Sequence, residues 1–368
     1  MSIAFSQQRW DRTRQDYAAW WAGESDRPMV PVTVTGRDPE RNAPRRNHRG
    51  RTAAYDLDRA SAEEIVDSED HFLAGLEFRA DGFPQTWLDY GPGVLAVFLG
   101  ARGEITRQTV WFHPPAGGED TPPGEMNLQL RPDHPWLERI EAIISAARER
   151  WGSLVQVGMT DLGGAVDVIS TFRPGEKLLL DLYDHPADVE RLTWQVHEAW
   201  FAVWDRLNAL LQPTNPGYTA WAGIFSPRPH YMFQCDFAYM IGPEMFERFV
   251  LPELSASFAR VEHAFYHLDG VGQLPHLDML LADENLRGIQ WVPGDGQKPC
   301  GEWPDVYRRI QDAGKLIQFF GPIGDLEKLV DDLGSPAGIV TGLQQLSPQE
   351  YDRAAPVLER LGVPGDLL

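Results

Sequence analysis

The chain has 368 residues, 43% hydrophobic and 11% aromatic, with 33 cationic against 54 acidic side chains and a net charge of −21. That balance excludes a basic nucleic-acid footprint and argues against docking on anionic lipid. Two cysteines, Cys235 and Cys300, make no disulfide framework and fit a reducing cytosol, and neither a signal core nor a run of ~18 apolar residues occurs.

The elements follow in chain order. Phe5 to Ala22 reads as a helix rich in Trp and Tyr, closed by Pro28, and Met29 to Thr35 alternates as a short strand. A Pro/Asn/Gly-rich stretch then carries Arg37, Arg41, Arg45, Arg46, Arg49 and Arg51. By composition it is a loop. It is either a solvated loop or a flap that grips an anionic ligand, since Arg binds carboxylate or phosphate through paired hydrogen bonds. Ser61, with Glu63 and Glu64 behind it, starts a helix whose acids suit the positive end of its dipole. A short strand is expected near Phe83 to Trp87. Two β-prone runs, Val94 to Leu99 and Thr106 to Phe112, flank Gly100-Ala101-Arg102-Gly103 and predict a hairpin.

From Pro135 the pattern turns regular. Helices over Trp136 to Arg150, Pro186 to Leu211 and Pro243 to Phe265 alternate with strand candidates beginning at Leu154, Tyr218, Phe265, Gly288, Leu316 and Gly338. A strand–helix repeat of about 25 residues is the signature of parallel βα units. With Met29 to Thr35 and the strand near Phe83, eight candidates accumulate. The expected fold class is α/β: a (β/α)8 barrel of the TIM type with an N-terminal helical extension and a β-hairpin insertion. One domain over 1–368 is expected, with elaborations and first strands in 1–150 and regular units in 151–368.

Barrels of this type build their sites at the C-terminal strand ends. His267 and Asp269 end one strand and, two apart, point to the same side. They suit metal ligation or an acid–base pair, against a plain structural hydrogen bond. His276 repeats the His-Leu-Asp triplet. Asp236 follows Cys235, and a lone cysteine is most often a small buried apolar residue. Asp161 and Asp167 sit in a Gly-rich loop as turn residues or site carboxylates. The Gly163-Gly164 pair lacks the Lys-Ser/Thr ending of a phosphate loop. Trp221, Trp291, Gln290 and Arg228 are candidates for a substrate pocket, and Trp111 for its lining or for the core. No nucleophile elbow, His-Glu-x-x-His or dinucleotide fingerprint occurs.

Several phrases resemble the uroporphyrinogen decarboxylase superfamily. They are Asp161-Leu162-Gly163-Gly164 with Asp167, Asp181-Leu182-Tyr183 with Pro186, the run Ile241 to Pro252, Tyr266 to Gly270, and Gly288 to Gly294. The resemblance runs best from Leu154 to Gln344 and implies a (β/α)8 barrel, often a homodimer. It implies one of two chemistries. Cofactor-free decarboxylases of the family bind an acidic tetrapyrrole through an Arg-Gln-Ala-Gly-Arg-Tyr motif, which this chain lacks. Zinc methyltransferases of corrinoid systems use a His-x-Cys pair and a later Cys. Here His267 matches the His, Asp269 stands at the Cys position, and Gly338 to Gln344 supplies no Cys. A nitrogen–oxygen site for zinc or another divalent ion remains chemically sound.

The leading expectation is therefore metal-assisted methyl (one-carbon) transfer on a small-molecule substrate. His267 and Asp269 would be metal ligands, and Asp236, Asp161 and His276 catalytic groups. Zinc is the expected cofactor and a corrinoid protein the expected partner. The alternatives are cofactor-free decarboxylation of a polycarboxylate and a non-catalytic small-molecule binding protein. The fold by itself does not choose among them.

Overall fold

A computed structural model describes residues 3–39, 42–44, 47–50 and 52–365. Arg41, Arg45, Arg46 and Arg51 of the arginine stretch lie outside the described residues.

The chain opens with α1 (Gln7–Trp21), capped by the Ser6 hydroxyl, which accepts from Arg9 N. It continues through β1 (Pro31–Thr35), α2 (Ala62–Ala74), β2 (Leu76–Ala80) and β3 (Gln85–Trp87) to α3 (Leu95–Phe98), β4 (Arg102–Ile105) and β5 (Val110–His113). The middle comprises α4 (Pro135–Trp151), β6 (Gln156–Gly158), α5 (Ala165–Phe172), α6 (Lys177–Asp184), α7 (Pro186–Leu211) and β7 (His230–Gln234). Next come α8 (Pro243–Phe249), α9 (Leu251–Arg260), β8 (His263–Asp269), α10 (Leu277–Ala282) and β9 (Leu286–Val292). The chain ends with α11 (Pro304–Asp312), β10 (Leu316–Phe319), α12 (Ile323–Leu333), β11 (Ile339–Thr341), β12 (Gln344–Leu346) and α13 (Pro348–Arg360). No described helix is long and apolar enough to cross a membrane.

The architecture is mixed α/β around a five-stranded parallel sheet in the order β11-β10-β9-β8-β7. Its strands are buried almost throughout, as expected where helices cover a parallel sheet. A parallel bridge between Met29 and Val340 extends it toward β1, with Met29 N donating to Ile339 O at 2.9 Å. There β1 pairs parallel with β12 and antiparallel with β2.

The expected strand from Leu154 forms as β6 and pairs parallel with β3, the strand expected near Phe83 to Trp87. The expected strand at Tyr218 is reduced to one antiparallel bridge to Ser226. That segment is bracketed by Pro213, Pro216, Pro227 and Pro229, which offer no N–H to a ladder. The described ladders therefore do not join into one ring of eight strands. Val94 to Leu99 is also not a strand. It is buried and contains α3, because a short apolar run carries no period that separates strand from buried helix. The hairpin is real but turns later, through Thr106 to Thr109, where Thr106 N donates to Thr109 O at 2.9 Å. The long helix expected from Pro243 breaks at Val250, since Pro252 sits in the first turn of α9 and cannot close a bond one turn back.

The aromatic face of α1 plugs one end of the sheet. Trp21 stacks on His263, with ring centroids 4.0 Å apart, and donates from Nε1 to Phe225 O at 3.0 Å. Trp20 stacks on Phe265 at 6.1 Å. His263 and His230 start their strands, so the plug covers the N-terminal strand ends and leaves the C-terminal ends open.

One ion pair ties this plug to β1. The guanidinium of Arg27 donates to both carboxylate oxygens of Asp81 at 2.8 and 2.7 Å, and Val30 N donates to the same group at 2.7 Å. The Asp81 side chain is 1% exposed. Replacing it by Ala leaves the Val30 N–H without its acceptor and the Arg27 guanidinium with Pro28 O at 3.0 Å and Asp16 at 3.5 Å as its remaining acceptors. Asp81→Ala should cost about 3–5 kcal/mol of stability, read as a lower urea midpoint, and Asp81→Asn should cost less by keeping one acceptor.

Candidate metal centre

His267 and Asp269 end β8 on one face, and the strand delivers both to an open cavity of about 860 Å³. His267 Nε2 lies 3.8 Å from Asp269 Oδ2. Asp236 comes from the turn after β7, and one ligand atom from each of the three lies within 4.8 Å of the others. Atoms each ~2.1 Å from a tetrahedral ion stand ~3.4 Å apart, so small rotamer adjustments close this set around one cation. Gly270 ends the strand with φ +86°, and a Cβ there would meet the Tyr239 ring at 2.8 Å. The chain can therefore turn beside Asp269 only with glycine.

The backbone of Asp236 is held from below. Asp167 accepts from Asp236 N at 3.0 Å and from Phe237 N at 2.8 Å. A Cβ at Gly164 would meet Gln234 O at 2.2 Å, so this glycine lets the loop press against β7. Asp161 lies deeper, with its carboxylate accepting from Gly163 N at 2.8 Å. Burial drives its pKa up, Gly163 N–H opposes the rise, and the carboxylates of Asp236, Asp167 and Asp89 add to it, for a value of about 7. Burial and then Asp236 likewise push Asp167 up. Asp236 is exposed beside the His267–Asp269 strand end, next to the cavity that those two residues line. Burial raises this carboxyl, His267 pulls it back, and Asp269 raises it again.

Gln290 lines the cavity and its Oε1 accepts from His267 Nδ1. Trp221 sets the edge of its indole against the His267 ring, with centroids 5.2 Å apart and planes at 86°. The remaining walls are mostly apolar, among them Phe72, Phe78, Phe83, Trp87 and Leu343.

Other candidates lie elsewhere. His276 is buried, stacks on Phe246 at 4.3 Å and bonds through Nε2 to Ala238 O at 3.0 Å. It braces the turn that carries Asp236 and does not reach the cavity. Trp291 follows Gln290 by one residue, so strand alternation sends it into the core against Trp303. Arg228 precedes β7, on the plugged side, and faces Glu262 at 3.6 Å. Asp161 is buried, at 6% exposed, and is not among the residues that line this cavity. Trp111 is 60% exposed on the hairpin. Cys235 is buried, and burial raises its thiol well above the usual range, so it offers no ready thiolate.

The sequence reading missed Glu69 and Asp89, which also line the cavity. Of the arginine stretch, Arg49 does reach it, but it is bound to Glu69 at 2.5 Å and lies 3.4 Å over the Phe72 ring. Glu69 reads in sequence as one more acid on an amphipathic helix, so only the packing of α2 identifies it.

No family model matches the chain, and no curated protein matches it. Among solved structures it is similar to a methyltransferase from Methanosarcina mazei, with a TM-score of 0.57 and 15% identity over 95% of this chain and 99% of that one. At that identity the likeness is one of fold. The resemblance to the uroporphyrinogen decarboxylase superfamily rests on the sequence phrases alone.

The raised carboxyl of Asp161 has a consequence for stability. A group whose folded pKa lies above its unfolded value favours folding while protonated, and that contribution is lost as pH rises through the folded value. Stability should therefore fall between about pH 4 and pH 7 in the wild type. Asp161→Asn, which keeps the bond from Gly163 N, should flatten that decline. Denaturation midpoints across this pH range check it.

Proposed function

We propose that the chain is a methyltransferase-like enzyme in which His267, Asp269 and Asp236 hold a divalent metal, with zinc the first expectation. One observation carries this reading: the three ligand atoms converge at the C-terminal end of β8, where His267 and Asp269 line an open cavity. The donor set suits a borderline cation, with one imidazole nitrogen and two carboxylate oxygens. In this reading the sheets are the wall of a (β/α)8 barrel of one domain, and the site lies at its C-terminal face. The likeness of fold to a methyltransferase is consistent with it.

When bound, the metal supplies Lewis acidity, which lowers the pKa of a coordinated thiol or hydroxyl and makes it a nucleophile at neutral pH. The chain's own residues do the rest. Gln290 orients the imidazole. Asp167 holds the Asp236 backbone by two N–H bonds. Trp221 fixes the ring from its edge, and the aromatic walls exclude water from an apolar substrate. A corrinoid protein is the expected methyl carrier, reaching the open face.

Decarboxylation of a polycarboxylate fits less well. Among the described lining residues, Arg49 is the one guanidinium and Glu69 already holds it, while Asp89 and Asp269 add negative charge. A multiply anionic substrate would meet repulsion there.

Metal analysis of protein purified without chelator tests the reading. We expect about one equivalent of a divalent ion. His267→Ala and Asp269→Ala should lose it with melting temperatures within a few degrees of the wild type, since strand-end residues carry little of the core. Protein that takes up no zinc, cobalt, nickel or manganese would overturn the reading. Ligand-induced melting shifts without turnover would then favour a binding protein.

A further inference from the structure

Four polar side chains lie in one row across the interior of the parallel sheet. Gln234 is in register with His267, His267 with Gln290, and Gln290 with Gln318. In-register neighbours face the same side of a sheet. Gln290 and Gln318 are almost completely buried, at 2% and 1% exposed. Buried amides require partners, and these two find them in a single line. Gln318 Nε2 donates to Ala222 O at 2.9 Å, Gln290 Nε2 donates to Gln318 Oε1 at 2.6 Å, and Gln290 Oε1 accepts from His267 Nδ1.

The direction of that line is not free. The Ala222 carbonyl can only accept, so Gln318 must present its NH2 there and its oxygen to Gln290. Gln290 must then donate to Gln318, which turns its own oxygen toward His267. Only a protonated Nδ1 satisfies that oxygen. Reversing Gln318 sets two acceptors face to face at Ala222 O, and reversing Gln290 alone sets two acceptors face to face at Gln318 Oε1.

We infer that Gln318 is a positioning residue that fixes His267 as the Nδ1–H tautomer, so that the Nε2 lone pair faces Asp269 and the cavity. Gln318 does not line the cavity, and it acts through Gln290. The tautomer follows from the hydrogen bonds alone, whereas its use in ligation rests on the function proposed above. A metal-bound histidine needs its free nitrogen held in this way, because the opposite N–H sets both the tautomer and the ring angle.

The test uses the full chain labelled with 15N-histidine, with long-range 1H–15N correlation spectra at pH 8.5 and His267→Ala to assign the signals. The wild type should show the proton on Nδ1 and none on Nε2. Gln318→Leu should lose that fixed pattern and bind zinc roughly 10- to 100-fold more weakly in a competition titration. A proton on Nε2 in the wild type overturns the inference, as does an unchanged tautomer in Gln318→Leu. If Gln318→Leu fails to fold, the wild-type spectrum decides alone. Wild-type protein that shows the Nδ1–H pattern but binds no zinc sinks the metal reading and leaves the relay standing.

Discussion

The in-register parallel pairing of β7, β8, β9 and β10 is the constraint on which the site depends. Register decides which residues of each strand share a face, and a slip of one residue sends the whole set to the other side. Here it lines up Gln234, His267, Gln290 and Gln318 inside the sheet, and it sends Tyr266, Leu268 and Trp291 into the surrounding core. Gly288 supports this register. A Cβ there would meet the Phe265 ring at 2.2 Å and Leu316 O at 2.7 Å, so glycine lets three strands close up at the plugged end. The Trp20–Trp21 plug fills the space beneath, which leaves the opposite end to chemistry.

The site is also an acidic place inside an acidic protein. Asp161, Asp167 and Asp236 follow one another from the interior toward His267 and Asp269, and burial raises the pKa of each. Burying carboxylates without cations is unfavourable, and nature usually answers with protonation, backbone N–H donors or a metal. The two deeper groups have the backbone donors: Gly163 N for Asp161, and Asp236 N with Phe237 N for Asp167. Asp236 has a histidine and a second aspartate beside it at the open end. The interior acids therefore scaffold the outer one, and the cluster grades from structural to chemical as it nears the cavity.

The apolar breadth of the cavity points the same way. Phe72, Phe78, Phe83 and Trp87 come from α2, β2 and the chain into β3, all in the first third of the sequence. The ligand cluster comes from β8 and the turn after β7. Much of the apolar wall thus comes from the N-terminal part of the chain, while Trp221, Phe320 and Leu343 complete it from the part that also carries the reactive groups.

The sequence by itself determined the parallel βα character of the C-terminal half, because its apolar runs and helical stretches recur at an even spacing. It also determined that His267 and Asp269 share a strand face, since two-residue alternation is local. The capped start of α2 at Ser61 is equally local, with Glu64 completing the capping box. Tertiary structure decided what depends on distance along the chain. Asp236 joins His267 only because β7 and β8 are neighbours. His276 and Arg228 leave the site because one packs on Phe246 and the other precedes its strand. Trp291 leaves because Gln290, one residue earlier, faces inward. The direction of the hydrogen bonds from Ala222 to His267 is set by a carbonyl far away in sequence, in a proline-bracketed segment whose place no local pattern encodes.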